Sequence, residues 1–171
     1  MAAAEGNRGE LYELMMQAHR RLDDLLEEAA REEGERRDKA YQEFRELLLK
    51  HIRIEERVLL PRAAKERGAP LELAARLRLD HGAFGAMLML PPRTSTLHAL
   101  RSLLALHNPL EENAGGVYDQ CEALVASPEL MAEIAAAPSV RASAWVDNPK
   151  VTASARRVLE HAGRDPKWLD D

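Results

Sequence analysis

The sequence predicts an all-α protein: an up-down-up-down antiparallel four-helix bundle followed by a short helical C-terminal appendage. Composition is the first ground. Of 171 residues, 46% are hydrophobic and only 4% aromatic, and Leu, Ala, Glu and Arg dominate. Straight side chains of this kind lose little rotamer freedom in a helix. Periodicity is the second ground, because four long stretches carry apolar residues at helical spacing. The third is punctuation: Gly and Pro fall between these stretches, and the short connections imply antiparallel neighbours. The length suits one domain with a modest addition.

The first helix is expected over about residues 8–33, with Tyr12, Met15, Met16, His19, Leu22, Leu25, Leu26 and Ala29 as its inward stripe. Gly34 interrupts it. The second, over about residues 35–67, sets Phe44, Leu47, Leu48, His51, Ile54, Glu55, Val58 and Leu59 near one face, and Gly68 offers a C-terminal stop. Pro61 lies inside this stretch and should kink or thin its last turns. The third helix begins at Pro70, a favourable first-turn residue, and ends at Leu90 before Pro91-Pro92. The fourth runs from Leu97 toward Ala126 with Thr96 as its N-cap, weakened by Pro109 and Gly115-Gly116. These four make a bundle of residues 1–126. Residues 127–171, divided by Pro138, Asn148-Pro149 and Gly163, read as an appendage packed on it. Its last helix, about residues 150–162, has Asn148 as N-cap and Pro149 at the first position.

Charge excludes some functions. The net charge of −5 comes with interleaved Arg and Glu, so counterion release gives no drive toward nucleic acid. No polybasic segment invites an anionic membrane, and no apolar run approaches the ~18 residues of a spanning helix. The single cysteine, Cys121, cannot form an intrachain disulfide and excludes cysteine-based zinc sites. The opening residues lack the basic start and apolar stretch of a signal peptide, so a cytoplasmic location is expected.

Four of the six histidines fall one per helix: His19, His51, His81 and His107. Two have a glutamate four residues later, as His51-Ile-Arg-Ile-Glu55 and His107-Asn-Pro-Leu-Glu111. Four residues turn ~400°, so imidazole and carboxylate emerge on one face and can reach one metal cluster. The adjacent Glu56 and Glu112 are turned ~100° further and should point elsewhere. Height agrees. His19 precedes the first loop by roughly 15 residues and His51 follows it by roughly 16, at ~1.5 Å each. His81 precedes the third loop by about 9 residues and His107 follows it by about 10, whereas the second loop gives about 16 against 11. A single buried histidine is usually a hydrogen-bonded core residue. Four imidazoles and two carboxylates on inward stripes would cost several kcal/mol each to bury unpaired, and a pair of metal ions removes that cost. Imidazole and carboxylate suit iron, zinc or manganese alike.

Other bundle and metalloprotein patterns are absent: no Glu precedes a histidine by three residues, and there is no His-Glu-x-x-His or Cys-x-x-Cys-His. The chain instead resembles the hemerythrin-like cation-binding family, also called HHE domains, over about residues 10–125. The resemblance lies in an isolated His19, His51-x-x-x-Glu55 with Glu56, His81, and His107-x-x-x-Glu111 with Glu112. It implies a di-iron centre, oxo- or hydroxo-bridged, with terminal imidazoles from His19, His51, His81 and His107 and bridging carboxylates from Glu55 and Glu111. Two departures follow. The family's oxygen carriers hold a His-x-x-x-His pair on the third helix, but here Leu77 and Gly85 flank His81. One imidazole fewer leaves room for dioxygen, hydrogen peroxide or nitric oxide, and points to a centre that binds or reduces a small oxidant. Pro109 is the second departure; a kink there leaves both Glu111 and Glu112 open as the ligand. The alternative function is iron handling or iron and oxygen sensing, including iron–sulfur cluster repair, which the resemblance permits.

Remaining residues carry simpler expectations. His98 is ~180° around the helix from His107 and should face solvent or the appendage. His161 should be a surface residue, and Cys121 a packed small hydrophobe. Met15, Met16, Met87 and Met89 fall on core-like stripes. Tyr12 and Tyr118 share the faces of His19 and His107 and could hydrogen-bond in a metal pocket or lie a layer away in the core; ~10 Å or more along the axis favours the second. Trp145 and Trp168 should pin the appendage to the bundle or mark a partner surface.

Overall fold

The computed structural model describes residues 8–170. Residues 1–7, which begin the stretch read for a targeting signal, and residue 171 lie outside the described residues. The apolar stripes fold as α1 (Glu10–Arg31), α2 (Gly34–Ile54), α3 (Leu60–Arg67), α4 (Ala74–Met87), α5 (Thr94–Glu112), α6 (Val117–Val125), α7 (Pro128–Ala135) and α8 (Pro149–His161), and the described residues contain no strand. No helix among them is long and apolar enough to cross a membrane.

α2 and α3 are joined without a break by a π-helical turn, Glu55–Leu59. Pro61 is the local cause. It lacks an N–H and its ring crowds the carbonyl four residues back, and the Leu60 N–H bonds five residues back, to the Glu55 carbonyl. The rod continues to Gly68, which stops it at φ 81°. The third predicted helix starts later than Pro70, since residues 72–73 form a turn and the helix begins at Ala74. The fourth starts earlier: Arg93 is its N-cap and Thr96 is buried inside it, so Thr96 does not cap. It also does not run to Ala126. It passes through Pro109, ends at Glu112, and resumes as α6 after a turn at residues 113–116.

Two apolar cores form, one at each end of the helices. The first gathers Leu22, Leu25 and Leu26 of α1, Phe44 and Leu48 of α2, Phe84 and Met87 of α4, and Leu97, Leu100 and Leu103 of α5. The second gathers Leu11, Tyr12 and Met15 of α1, Ile54, Leu59 and Leu60 at the far end of α2 and beyond, Ala74 and Leu77 of α4, and Val117 and Cys121 of α6. Followed along the chain, α1 and α4 pass from the second core to the first, while α2 and α5 leave the first. Each predicted histidine sits at the crossing. The rod past His51 is far longer than α4 before His81 because α3 packs against α6 in the second core.

Residues after 127 contribute to both cores. Leu130 and Ile134 of α7 join the second, and Ala155 and Leu159 of α8 with Leu169 join the first. Their helices start as the sequence predicts: the Ser127 hydroxyl accepts from Leu130 N and the Asn148 amide oxygen from Lys150 N. Between them an extended segment is held by Arg45, a buried arginine the sequence reading passed over. Its Nε donates to Leu88 O at 2.7 Å, its Nη2 to Ser143 O at 2.6 Å, and its guanidinium lies 5.5 Å from the Trp145 ring. Trp145 and Trp168 both pack on the first core, as expected. Met89 does not join it and is 36% exposed.

Candidate metal centre

Where the two cores meet, six polar side chains are buried: His19, His51, Glu55, His81, His107 and Glu111. These are the six residues predicted for the site, and they converge into two groups that share both carboxylates. His19, His51, Glu55 and Glu111 form one group, and Glu55, His81, His107 and Glu111 the other, with donor atoms within 4.8 Å of one another in each. The carboxylates face both ways. Glu55 sets Oε1 at 3.0 Å from His51 Nε2 and Oε2 at 3.2 Å from His81 Nε2. Glu111 sets Oε2 at 3.4 Å from His19 Nε2 and Oε1 at 3.1 Å from His107 Nε2.

Proximity alone does not make a metal site; the direction of the lone pairs does. Three of the imidazoles engage a carboxylate through the outer nitrogen: His19 Nδ1 with Glu112 at 2.5 Å, His81 Nδ1 with Glu56 at 2.7 Å, and His107 Nδ1 with Asp80 at 3.3 Å. An imidazole whose Nδ1–H donates outward presents a bare Nε2 inward. Those inner nitrogens face other acceptors, such as His51 Nε2 at 2.9 Å from His19 Nε2, and the one nearby hydroxyl, that of Tyr118, has a single proton to offer. Glu55 Oε2, His81 Nε2 and Glu111 Oε1 are buried without any hydrogen-bond partner. Only cations resolve so many facing acceptors. Without metal, protons do so. Burial lowers the affinity of His19 for a proton, but hydrogen bonds that the imidazolium donates to Glu111 and Glu112 outweigh it and raise its pKa to about 9. Burial likewise opposes the charge on His107, yet Glu111 and Asp80 push its pKa up to about 10. Glu55, despite burial, is held well below the usual carboxylate range by His51 and His81.

Glu56 and Glu112 point away from the two donor groups, in line with their ~100° offset, but they are not without partners. Each reaches the histidine of a neighbouring helix, so the second acid of each His-x-x-x-Glu-Glu run fixes an imidazole it does not share a helix with. Despite Pro109, Glu111 and not Glu112 faces the centre, and Glu111 is 0% exposed. The proline borders a surface cleft of about 340 Å³ that Glu112 also lines, so this acid meets solvent on one side and His19 on the other.

Of the two places open to Tyr118, distance along a continuous helix favours the one a layer away. Its phenol oxygen instead lies 2.6 Å from Glu55 Oε1, 2.9 Å from His19 Nε2, 3.0 Å from His51 Nε2 and 3.1 Å from Glu111 Oε2. The break in the fourth helix explains this. Gly115 adopts φ 75°, a left-handed conformation that side chains resist. A Cβ on Gly116 would meet Asn113 O at 2.7 Å, Glu111 O at 2.8 Å and Leu110 O at 2.9 Å. The chain therefore folds tightly over the end of α5 and brings α6 back toward the centre. The glycine pair was the signal for this return. Tyr12 does stay a layer away: its hydroxyl donates to Glu112 O at 2.8 Å.

The other candidates remain outside. His98 and His161 are exposed. Cys121 is buried and free, with its thiol pushed up to about 12 by burial and by the charges of Glu55 and Glu111.

The two histidine–carboxylate groups fit metal ions by donor type, by burial and by their unmet acceptors. No curated protein and no solved structure matches the chain. The family model for the hemerythrin HHE cation binding domain matches residues 10–114, which takes in all six site residues and stops short of Tyr118. The chain belongs to the hemerythrin HHE cation-binding family.

Proposed function

We propose that this protein holds two iron ions and uses them to bind or reduce a small oxidant: dioxygen, hydrogen peroxide or nitric oxide. His19 and His51 would serve one ion, His81 and His107 the other, and Glu55 and Glu111 would bridge them. The observation that carries this reading is the two-faced placement of both carboxylates, one oxygen toward each histidine pair. Tyr118 would complete the first group. A phenol has a single proton and can serve one of its four close acceptors; coordination accounts for all four contacts. The second group has only its two imidazoles and the shared carboxylates, which makes it the open side. Bound iron would supply the electrons, and the protein would supply fixed ligands and dry walls.

Each further part of the reading has its own support. The alternating sense of α1, α2, α4 and α5 between the two cores supports reading the described part of residues 1–126 as an up-down-up-down antiparallel bundle. The packing of α7 and α8 against it supports reading residues 127–171 as an appendage. A cytoplasmic setting fits the single, buried, free cysteine.

The test has two stages. Metal analysis of the purified protein should find two iron ions per chain, and His51→Ala should lose at least one. Oxygen or peroxide added anaerobically to the reduced, iron-loaded protein should then produce a charge-transfer band. Neither band nor turnover would end the oxidant reading. The alternative, an iron-handling or iron-responsive regulatory protein, draws on the C-terminal segment's Arg164, which donates to Asp80, the acceptor beside His107 Nδ1.

A further inference from the structure

Of the three carboxylates engaged with outer histidine nitrogens, one differs from the others. Glu56 and Glu112 are partly exposed, whereas Asp80 is 0% exposed. Asp80 is gripped from the far side by the C-terminal segment. Arg164 Nε donates to Asp80 Oδ1 at 3.0 Å and Arg164 Nη2 to Oδ2 at 2.8 Å, a two-pronged contact. Arg76, one turn before Asp80 on α4, donates to Oδ1 at 2.5 Å and to the Ala162 carbonyl at 2.5 Å. The turn that ends α8 aims Arg164 inward, through Gly163 N to Glu160 O and Arg164 N to Leu159 O. Leu159, Ala162 and Leu169 anchor that turn in the first core.

Arg164 lies outside the residues matched to the family, yet only one carboxylate separates it from His107. We propose that Arg164 is a positioning residue for the metal centre: it fixes Asp80, which holds His107 with Nε2 inward, and so couples docking of residues 155–169 to metal occupancy at the His81–His107 group. This rests on the metal-site reading above. Asp80 left with Arg76 alone is free to turn, and His107 then loses the acceptor that sets its ring plane and tautomer. Partners of this kind change metal affinity by about 10- to 100-fold. Coupling between two events is reciprocal. Metal should therefore hold the C-terminal segment down by the same factor as the segment holds the metal.

The experiment uses full-length protein loaded with ferrous iron: wild type, Arg164→Gln and Arg164→Lys. Iron loss to a chelator is timed, and amide exchange across residues 149–170 is followed with and without metal. One of two ions should leave Arg164→Gln about 10- to 100-fold faster, with the other unchanged. Arg164→Lys should fall between, because lysine keeps the charge but loses the fork. Metal should slow exchange in residues 155–169 of the wild type. Identical exchange with and without metal in the wild type overturns the proposal, whatever the variants do. So does an Arg164→Gln protein with wild-type helix content and unaltered iron loss, which would reduce Arg164 to a pin for the segment. A wild type that retains no iron overturns the metal-site reading and this inference with it.

Discussion

The Tyr118 hydroxyl lies 2.6 Å from Glu55 Oε1, closer than any of its other three polar neighbours. Burial and the two nearby carboxylates push that phenol well above its ordinary pKa, so in the metal-free protein it keeps its proton and donates it to Glu55. A cation held by the first histidine group would reverse this preference and favour the phenolate. Iron-loaded wild type should then show a visible tyrosinate-to-iron transition in the ferric state. Tyr118→Phe should retain two ions but lose that band. An unaltered spectrum in Tyr118→Phe would remove the phenol from the ligand set.

The acids of the two His-x-x-x-Glu-Glu runs should separate by role. Glu55→Ala or Glu111→Ala removes an oxygen from both histidine groups and should leave less than one ion per chain. Glu56→Gln and Glu112→Gln keep a side chain that can still accept from the outer histidine nitrogen, but without charge. They should bind two ions about 10- to 100-fold more weakly. Metal titration with a competing chelator distinguishes these outcomes.

On the proposed ligand set, protons and metal would compete for the same nitrogens. With His19 raised to about 9 and His107 to about 10, both are protonated in the metal-free protein at neutral pH. Metal must displace those protons, so apparent affinity should rise with pH up to these values. Stability of the metal-free form should run the other way. A folded pKa raised above the unfolded value of about 6.5 gives stabilisation that is full below that value and lost as pH climbs through the folded one. Thermal unfolding of chelator-treated protein at a series of pH values should show a decline between about pH 7 and 10, and metal-loaded protein should not share it.

Removing the metal should cost stability by mass action. At free metal one hundred times the dissociation constant, the stabilisation is about 2.7 kcal/mol. For a domain of this size that corresponds to a rise in Tm of roughly 5–11 °C. Calorimetry with and without chelator checks this, and His98→Ala, on the exposed face, should shift neither value by more than about 0.5 kcal/mol.

The histidine positions were readable because a helix fixes both rise and rotation. One histidine per helix at matched distances from the loops, and Glu four residues after His51 and His107, were enough to place six side chains at one level. The failures share a cause. Tyr118 was measured along a continuous helix, but Gly115-Gly116 break the chain and reset both height and direction. Glu56 and Glu112 turn away from the donor groups as their offset predicts, but their histidine partners sit on neighbouring helices, which no single-helix pattern reveals. Arg45 and the Arg164–Asp80 pair join segments far apart in sequence, so no periodicity announces them. The cap at Thr96 was misplaced because Arg93 already supplies the extended residue that starts the helix.

Position 116 leaves room for a hydrogen atom and nothing more. Any heavier substituent would strike three oxygens at the end of α5 and lever α6 outward, withdrawing the aromatic hydroxyl two residues later. A methyl group there, remote from every imidazole, should therefore silence the colour of the ferric protein as completely as deleting the tyrosine's own oxygen.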